Sequence, residues 1–165
     1  METDMRICAF TGHRKIEPGH AGHIDDLLLR AISFAYEKGC RTFVTGGALG
    51  FDTLAAREVI RFRLSHPDAK LMIIIPCKNQ AQSWSERQVM LYEYTLANAD
   101  AVEYVSDEYT DSCMKERNRR LADLADMLIA YVNRPYSGAA QTVRIAAKEG
   151  KVIYNLYPSL EQNRE

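Results

Sequence analysis

Six short apolar segments of strand length recur along the chain, separated by longer stretches with helical periodicity. The apolar segments are Ile7–Phe10, Thr42–Thr45, Leu71–Ile75, Ala101–Val105, Met127–Val132 and Val152–Tyr154. The stretches between them predict helices at about Ala21–Lys38, Thr53–Ser65, Ser83–Asn98, Ser112–Ala125 and Gly138–Glu149. Strands that alternate with helices in this way are typical of a parallel sheet covered on both faces. We therefore predict a three-layer α/β fold with a mostly parallel sheet of about six strands and helices on both faces.

Local signals support the ends of these predicted helices. Residues 83–86 (SWSE) are typical of a capping box at a helix start, and Lys38-Gly39 is typical of a helix end. In open parallel sheets a ligand binds beyond the carboxyl ends of the strands, where the strand order reverses. The loops that follow the strands are therefore where a binding site is expected.

Length and charge indicate one domain without a strong electric field. We expect residues 1–158 of the 165-residue chain to form a single domain, and residues 159–165 to form a polar tail that frays. The 21 Lys and Arg residues balance 22 Asp and Glu residues, which gives a formal charge of −1. Because no overall charge attracts nucleic acid or a membrane, any anion site has to be local.

The cysteines and the N-terminal segment favour the cytoplasm. The four cysteines are widely spaced without a Cys-x-x-Cys pair, which favours free thiols over a disulfide or a zinc site. Residues 1–6 are charged and lead straight into an apolar segment, so we expect no signal peptide. No later apolar run approaches the roughly 20 residues that a membrane-spanning helix requires. The oligomeric state stays open, with a homo-oligomer among the alternatives.

A glycine-rich junction between the second strand and the second helix is the most informative motif. Residues 45–53 read TGGALGFDT, and glycines at such a junction let backbone N–H groups approach a phosphate at a helix start. The Lys-Ser/Thr ending of a P-loop is missing and the spacing is not Gly-x-Gly-x-x-Gly, so ATP hydrolysis and ordinary NAD binding lose support. Asp52 either caps the helix or binds ribose hydroxyls, and it is a weak catalytic candidate. The candidate ligand-binding residues of this junction are Gly46, Gly47, Ala48, Gly50, Asp52 and Thr53.

Three further junctions carry side chains suited to a phosphate or a nucleobase. Residues 11–14 (TGHR) combine a hydroxyl, an imidazole and a guanidinium that can bind phosphate with two donors. Trp84 either packs against the protein or stacks on a base. Ser137 can cap a helix whose small first turn lets a phosphate approach. The candidates from these junctions are Thr11, Gly12, His13, Arg14, Gln80, Trp84, Ser137, Gly138 and Thr142.

The fourth predicted helix contains the basic segment 115–120 (KERNRR), which at first suggests nucleic-acid binding. At about 100° per residue, Arg117 and Asn118 fall on the margins of the apolar stripe, whereas Arg119 and Arg120 point away from it. Arg117 and Asn118 therefore face the sheet and need partners there. Those partners are either groups within the protein or a ligand at the start of the helix.

A metal site is not expected. His20, His23, Asp25 and Asp26 lie close together in the sequence, but at a solvated, acidic helix start. No cofactor is certain from the sequence, and a nucleotide-derived small molecule is the candidate partner.

Together these motifs resemble the YpsA-like branch of the SLOG superfamily over nearly the whole chain. The residues that carry the resemblance are Thr11-Gly12-His13-Arg14, Gly46-Gly47-Ala48-Leu49-Gly50-Phe51-Asp52, Pro76 with Gln80 and Trp84, and Arg117-Asn118. The second half is also similar to the Rossmann-like domain of the Smf DNA-processing proteins, in the order Arg117-Asn118-Arg119, Met127–Val132, Ser137-Gly138 and Thr142. The resemblance implies a Rossmann-like fold that binds nucleotides or nucleotide-derived ligands, with the glycine-rich stretch as the main ligand loop.

The cytokinin-riboside phosphoribohydrolases of the same superfamily are similar in layout but differ in their catalytic motif. Their Pro-Gly-Gly-x-Gly-Thr-x-x-Glu sequence, which supplies the catalytic Glu, has no full counterpart here. Asp52 is the nearest acid, and Glu58 lies further along the helix. This difference disfavours N-glycosidic hydrolysis.

Three functions are consistent with the sequence. The preferred one is a cytosolic binding module or sensor for ADP-ribose, NAD or a nucleoside phosphate, because no nucleophile and base pair is evident. The second is an N-glycosidic hydrolase of nucleoside phosphates, with Asp52 stabilising positive charge on the ribose. The third is single-stranded DNA binding, which the balanced charge and the geometry of the basic helix disfavour.

Overall fold

The parallel sheet that the sequence predicts is present. The structure, a computed structural model, describes residues 5–163, so residues 1–4 of the charged N-terminal segment and residues 164–165 of the predicted tail lie outside the described part. The strands are β1 Ile7–Gly12, β2 Thr42–Thr45, β3 Lys70–Cys77, β4 Ala101–Ser106, β5 Met127–Tyr131 and β6 Val152–Asn155. They form one sheet in the order β4-β3-β2-β1-β5-β6, and every neighbouring pair is parallel.

Helices follow the strands as the alternating pattern predicts. They are α1 Ile24–Glu37, α2 Phe51–Arg63, α3 Glu86–Ala97, α4 Cys113–Leu124, α5 Gly138–Lys148 and α6 Tyr157–Gln162, with a 3-10 turn at Pro18–His20. Successive strand residues point to opposite faces of a sheet, so Phe10 packs in the core beneath α1, α2 and α6, whereas Ala9 packs in the core beneath α4 and α5. Both faces are covered, which confirms the three-layer Rossmann-like α/β fold.

The strand order reverses next to β1. From β1 the chain builds β2, β3 and β4 on one side, and then returns through α4 to place β5 on the other side of β1. The helices α1 and α2 lie on one face, and α4 and α5 lie on the opposite face. The loops that leave β1 and β5 therefore diverge and open a crevice at the carboxyl ends of the strands, where open α/β sheets bind ligands.

The third helix begins later than the sequence predicts, at Glu86 instead of near Ser83. Ser85 is its N-cap: the Ser85 side chain accepts a hydrogen bond from the Gln88 backbone N–H at 3.2 Å, and the Gln88 side chain accepts one from the Ser85 N–H at 2.9 Å. The capping box therefore lies two residues further along, because Gln88 completes it instead of Glu86.

The segment after Pro158 differs from the frayed polar tail that the sequence predicts. Within α6, Leu160 is buried in the core. The imidazole of buried His20 pairs with the Tyr131 hydroxyl and with the Glu161 carboxylate, both at 2.7 Å. These partners come from distant parts of the chain, which is why local composition misses the order of this segment.

The described residues also show the state of the cysteines, the character of the helices and the grouping of side chains that could bind a metal. All four cysteines are free, as predicted, and all four are also buried. No helix in residues 5–163 is long and apolar enough to cross a bilayer. In the same residues, no three His, Cys, Asp or Glu side chains gather as a metal centre requires.

Candidate functional site

A cavity of about 450 Å³ opens in the crevice between β1 and β5. It is lined by the loops after β1, β2, β4 and β5 and by the first turns of α4 and α5. Ten residues that the sequence predicts as ligand-binding line it: Thr11, Gly12, His13, Arg14, Ala48, Asp52, Arg117, Asn118, Ser137 and Gly138. The topology thus gathers into one cavity residues that lie far apart in the sequence.

His13 joins the loop after β1 to the loop after β5. The side chain is buried, and its Nε2 accepts a hydrogen bond from the backbone N–H of Asn133 at 3.0 Å. Burial foremost, and then the nearby Arg134 guanidinium, lower the pKa of His13. The lowered pKa favours the neutral ring at physiological pH, and Nε2 also lies 3.1 Å from Asn133 Oδ1. The His13 Nδ1 has no hydrogen-bond partner among the described residues, so it is a candidate hydrogen-bonding group for a bound ligand.

Arg117 and Asp52 both approach Gly46 closely. A Cβ at Gly46 would lie 2.8 Å from Arg117 Nη1 and 2.8 Å from Asp52 Oδ2, so only glycine leaves room for both side chains. Arg117 Nη1 donates to the Gly46 carbonyl, and Nε donates to Asn118 Oδ1 at 3.0 Å. Arg117 is 5% exposed and Asn118 is 6% exposed, which confirms that they face the sheet. Both have partners within the protein, and both also line the cavity.

Asn118 connects the starts of α4 and α5. Its Nδ2 donates to the Gly138 carbonyl at 3.3 Å and to Gln141 Oε1 at 3.4 Å. The same side chain accepts from Arg117, so the two helix starts and the glycine-rich loop form one hydrogen-bonded unit. Such a unit holds the cavity wall in place before a ligand arrives.

Asp52 is a buried acid on the cavity wall, and the interpretation of this residue as the helix cap is wrong. The N-cap of α2 is Gly50, so Asp52 lies in the first turn of the helix. Its Oδ2 accepts a hydrogen bond from the Ala48 N–H at 3.2 Å, whereas Oδ1 has no partner among the described residues. Burial raises the pKa of Asp52 to about 6, although Arg117 and Arg14 oppose the shift.

Asp52→Asn is expected to remove a pH-dependent loss of stability. The folded-state pKa of about 6 lies above the ordinary value of 3.8, so the folded protein holds this proton more tightly than the unfolded chain does. Asp52 therefore contributes stability at low pH that is lost as the pH rises through 6. We expect the wild type to lose about 2 kcal/mol more than the variant between about pH 4.5 and about pH 7.5.

Urea denaturation at both pH values measures this difference in the free energy of unfolding. Groups that titrate in both proteins cancel in the comparison. Parallel stability curves for the wild type and Asp52→Asn would contradict the raised pKa.

The start of α5 presents backbone N–H groups and a guanidinium to the cavity. Ser137 caps the helix as predicted, since its Oγ accepts from the Ala140 N–H at 3.1 Å. Gly138 and Ala139 line the cavity, and first-turn N–H groups have no carbonyl partner within the helix. The exposed guanidinium of Arg134 precedes this turn and lines the same cavity.

Seven of the predicted ligand residues lie outside the cavity lining. Gln80 Nε2 donates to the Gly47 carbonyl at 2.9 Å and so supports the glycine-rich loop from behind. Trp84 packs edge to face on Tyr92 with 5.1 Å between ring centroids, which favours its packing interpretation over base stacking. The seven residues are Gly46, Gly47, Gly50, Thr53, Gln80, Trp84 and Thr142.

Two predicted hydroxyls in this group are used within the protein. The Thr53 hydroxyl donates to the Ala48 carbonyl at 3.0 Å. The buried Thr142 hydroxyl donates to the Gly138 carbonyl at 3.2 Å. Both stabilise the backbone behind the cavity wall.

Other lining residues are absent from the sequence-based candidates. Lys115 and Gln141 lie one helical turn from Asn118 and Gly138, so helical spacing was a signal that could have found them. Tyr109 comes from the loop after β4, which carries no glycine or basic motif. The additional lining residues are Tyr109, Asp111, Met114, Lys115, Leu121, Arg134, Ala139 and Gln141.

Comparison with known proteins identifies the family. The sequence profile of the YspA SLOG family matches residues 8–157. The chain belongs to the YspA SLOG family. Similar proteins include a UPF0398 protein of Bacillus thuringiensis (strain Al Hakam) and one of Bacillus cereus (strain AH187), each 28% identical over 162 residues, which is 93% of this chain and 88% of the relative.

Solved structures resemble this YspA SLOG protein in fold. DNA processing protein A from Streptococcus pneumoniae superposes with a TM-score of 0.66 at 20% identity, over 91% of this chain. This chain spans 50% of the length of that protein. DNA processing protein A from Helicobacter pylori superposes with a TM-score of 0.63 at 20% identity, over 97% of this chain and 74% of that protein. The structure of that protein was described for its single-stranded DNA binding mode. At such identities the likeness establishes the shared fold.

Proposed function

We propose that this protein is a cytosolic binding module for a nucleotide or nucleotide-derived small molecule, which it holds in the cavity between β1 and β5. One observation carries the proposal: four cationic side chains and a buried carboxyl line a single cavity. The four cations are Arg14, Lys115, Arg117 and Arg134, the buried carboxyl is Asp52, and the exposed acid Asp111 also lines the cavity. The volume of about 450 Å³ falls within the range of roughly 300–1,000 Å³ that is typical of small-molecule sites.

The phosphate end of such a ligand is assigned to the start of α5. Gly138 and Ala139 line the cavity, and their position in the first turn leaves backbone N–H groups for an anion. Arg134 and Lys115 line the same cavity and can donate charge-assisted hydrogen bonds to phosphate oxygens. A helix start with two nearby cations is the most favourable place for phosphate in this cavity.

The sugar end is assigned to Asp52. With a pKa of about 6, its carboxyl is mainly ionised at physiological pH, and Oδ1 has no partner among residues 5–163. A buried oxygen of this kind is costly unless a donor satisfies it. Ribose hydroxyls are suitable donors, and a ribonucleoside 5′-phosphate carries them at C2′ and C3′ of the sugar that bears the phosphate.

Single-stranded DNA, which the Helicobacter pylori protein binds according to its description, is less well supported as the ligand here. The basic helix presents few available cations: Arg117 is buried, Arg120 is paired with Glu103 at 3.0 Å and 3.1 Å, and Arg119 approaches Glu149 at 3.4 Å. A long strand needs a continuous track of cations, whereas Arg14, Lys115 and Arg134 line one compact cavity.

Thermal unfolding with a panel of nucleoside phosphates, ADP-ribose and NAD tests the proposal. We expect at least one compound to raise the Tm of the wild type. Arg134→Ala should weaken binding of that compound about tenfold or more, because a hydrogen bond between charged groups is lost. Arg119→Ala is the matched control, since Arg119 lies on the outer face of α4, outside this cavity.

The outcomes separate the alternatives. A wild type that unfolds cooperatively but is stabilised by none of these compounds would refute the proposed function. Release of free base in the same incubations by the wild type, but not by Asp52→Asn, would instead support the second alternative, an N-glycosidic hydrolase.

A further inference from the structure

We infer that Tyr109 is the base-stacking residue of this site, so that the ligand carries a planar nucleobase as well as a sugar phosphate. The inference rests on the proposed function and names the class of ligand that the same cavity selects. Of the described residues that line the cavity, only Tyr109 and His13 carry an aromatic ring. His13 is buried and tethered to Asn133, which leaves Tyr109 as the available platform.

Tyr109 is exposed, and hydrogen bonds flank its backbone on both sides. Its side chain is 63% exposed in the absence of a ligand, so its ring faces are accessible. The backbone on both sides is held: the Ser106 hydroxyl donates to the Glu108 carbonyl at 2.6 Å, and the Cys113 N–H donates to the Thr110 carbonyl at 3.4 Å. A ring carried by a segment that is hydrogen-bonded on both sides loses less conformational freedom when it stacks on a ligand than a ring on an unanchored loop does.

The position of Tyr109 complements that of the phosphate-binding features. Tyr109 enters the cavity from the loop between β4 and α4, whereas Arg134 and Gly138 enter from the loop between β5 and α5. Met114 in the first turn of α4 also lines the cavity and adds apolar surface on the side of Tyr109. The loop before α4 and the first turn of that helix therefore bring an aromatic ring and a thioether into the cavity together with Asp111 and Lys115, and the loop before α5 brings Arg134. Groups suited to a base and groups suited to a phosphate thus reach the same cavity.

Binding measurements with and without a base test the inference. The probes are AMP, GMP, CMP and UMP, compared with ribose 5-phosphate, by calorimetry on the full chain. We expect the wild type to bind at least one nucleotide more tightly than ribose 5-phosphate. Tyr109→Ala should weaken that nucleotide about 5- to 100-fold and change ribose 5-phosphate less than twofold.

Two variants separate stacking from other effects. Tyr109→Phe retains the ring and should bind the nucleotide within about threefold of the wild type, because stacking does not need the hydroxyl. Tyr136→Ala removes a tyrosine that is 95% exposed and outside this cavity, and it should bind like the wild type.

The results distinguish failure of the inference from failure of the proposed function. Base stacking would be overturned if Tyr109→Ala weakened the binding of nucleotide and of ribose 5-phosphate equally. It would also be overturned if Tyr109→Phe bound the nucleotide as weakly as Tyr109→Ala does. Either result would leave the phosphate site in place. Wild-type binding of ribose 5-phosphate as tightly as every nucleotide would also overturn base stacking. A wild type that binds none of the five probes would likewise overturn the inference. If none of the compounds in the thermal-unfolding panel stabilises the protein either, the proposed function itself is contradicted.

Discussion

Gly50→Ala is expected to destabilise the fold by about 3–5 kcal/mol, through backbone strain and a steric clash together. Gly50 has φ of +77° and ψ of −118°, a conformation that residues with a Cβ rarely adopt. A Cβ at this position would also lie 2.1 Å from the backbone oxygen of Arg14. That oxygen cannot move freely, because the neighbouring His13 carbonyl accepts from the Phe51 N–H at 3.1 Å and the His13 N–H donates to the Tyr131 carbonyl at 3.2 Å.

Gly150→Ala is the matched control for this prediction. Gly150 has a similar φ of +76°, but a Cβ there would meet no atom within 4 Å. It should cost only about 1 kcal/mol, which is the strain of the left-handed backbone. Thermal unfolding should then show a Tm that falls by roughly 10 °C for Gly50→Ala and by a few degrees for Gly150→Ala. Equal losses for the two variants would show that the contact with Arg14 carries no cost.

Arg117→Ala is expected to lower the free energy of unfolding by about 3–5 kcal/mol, as removal of one member of a buried charged network does. The Arg117 guanidinium is buried and donates to the Gly46 carbonyl and to Asn118 Oδ1. It also attracts the buried carboxylate of Asp52 and is the strongest of the interactions that lower the pKa of that group. Without Arg117, two acceptors lose their donor and Asp52 loses its main stabilising charge.

The control is Arg119→Ala, two residues further along α4. Arg119 is exposed, and its contacts with Asp123 and Glu149, both at 3.4 Å, lie at the surface. Such pairs contribute about 0–1 kcal/mol. Urea denaturation should therefore separate the two variants by at least about 2 kcal/mol. The deficit of Arg117→Ala should also be larger at about pH 7.5 than at about pH 4.5, because Asp52 is then ionised. A deficit that does not change with pH would show that Arg117 acts on Asp52 only weakly.

Local periodicity was enough to place most of the secondary structure and one important pair of side chains. The alternation of apolar segments with helical stretches predicted the order of the strands along the chain and the helices on both faces. The angular positions of Arg117 and Asn118 on α4 predicted that they face the sheet, and both are buried there. These features depend on residues within one or two helical turns of each other, and such spacing is written directly in the sequence.

Features that depend on contacts between distant segments were predicted less well. Asp52 follows a glycine turn as a helix cap does, yet Gly50 occupies the cap position because the chain crosses over the Arg14 carbonyl there. Trp84 packs on Tyr92, whereas Tyr109 from an unremarkable loop lines the cavity. The segment after Pro158 is ordered because α6 packs Leu160 into the core.

The amino-acid sequence alone was sufficient for the fold class, the family and the loops in which to look for a ligand, because these follow from local patterns and characteristic motifs. Only the folded chain shows which side chains form the cavity wall and which support it from behind. It also shows which carboxyl has an oxygen without a hydrogen-bond partner. The physical reason is that burial, hydrogen-bond partners and pKa shifts arise where β1, β2, β4 and β5 end at one edge of the sheet, and those ends are separated by long stretches of sequence.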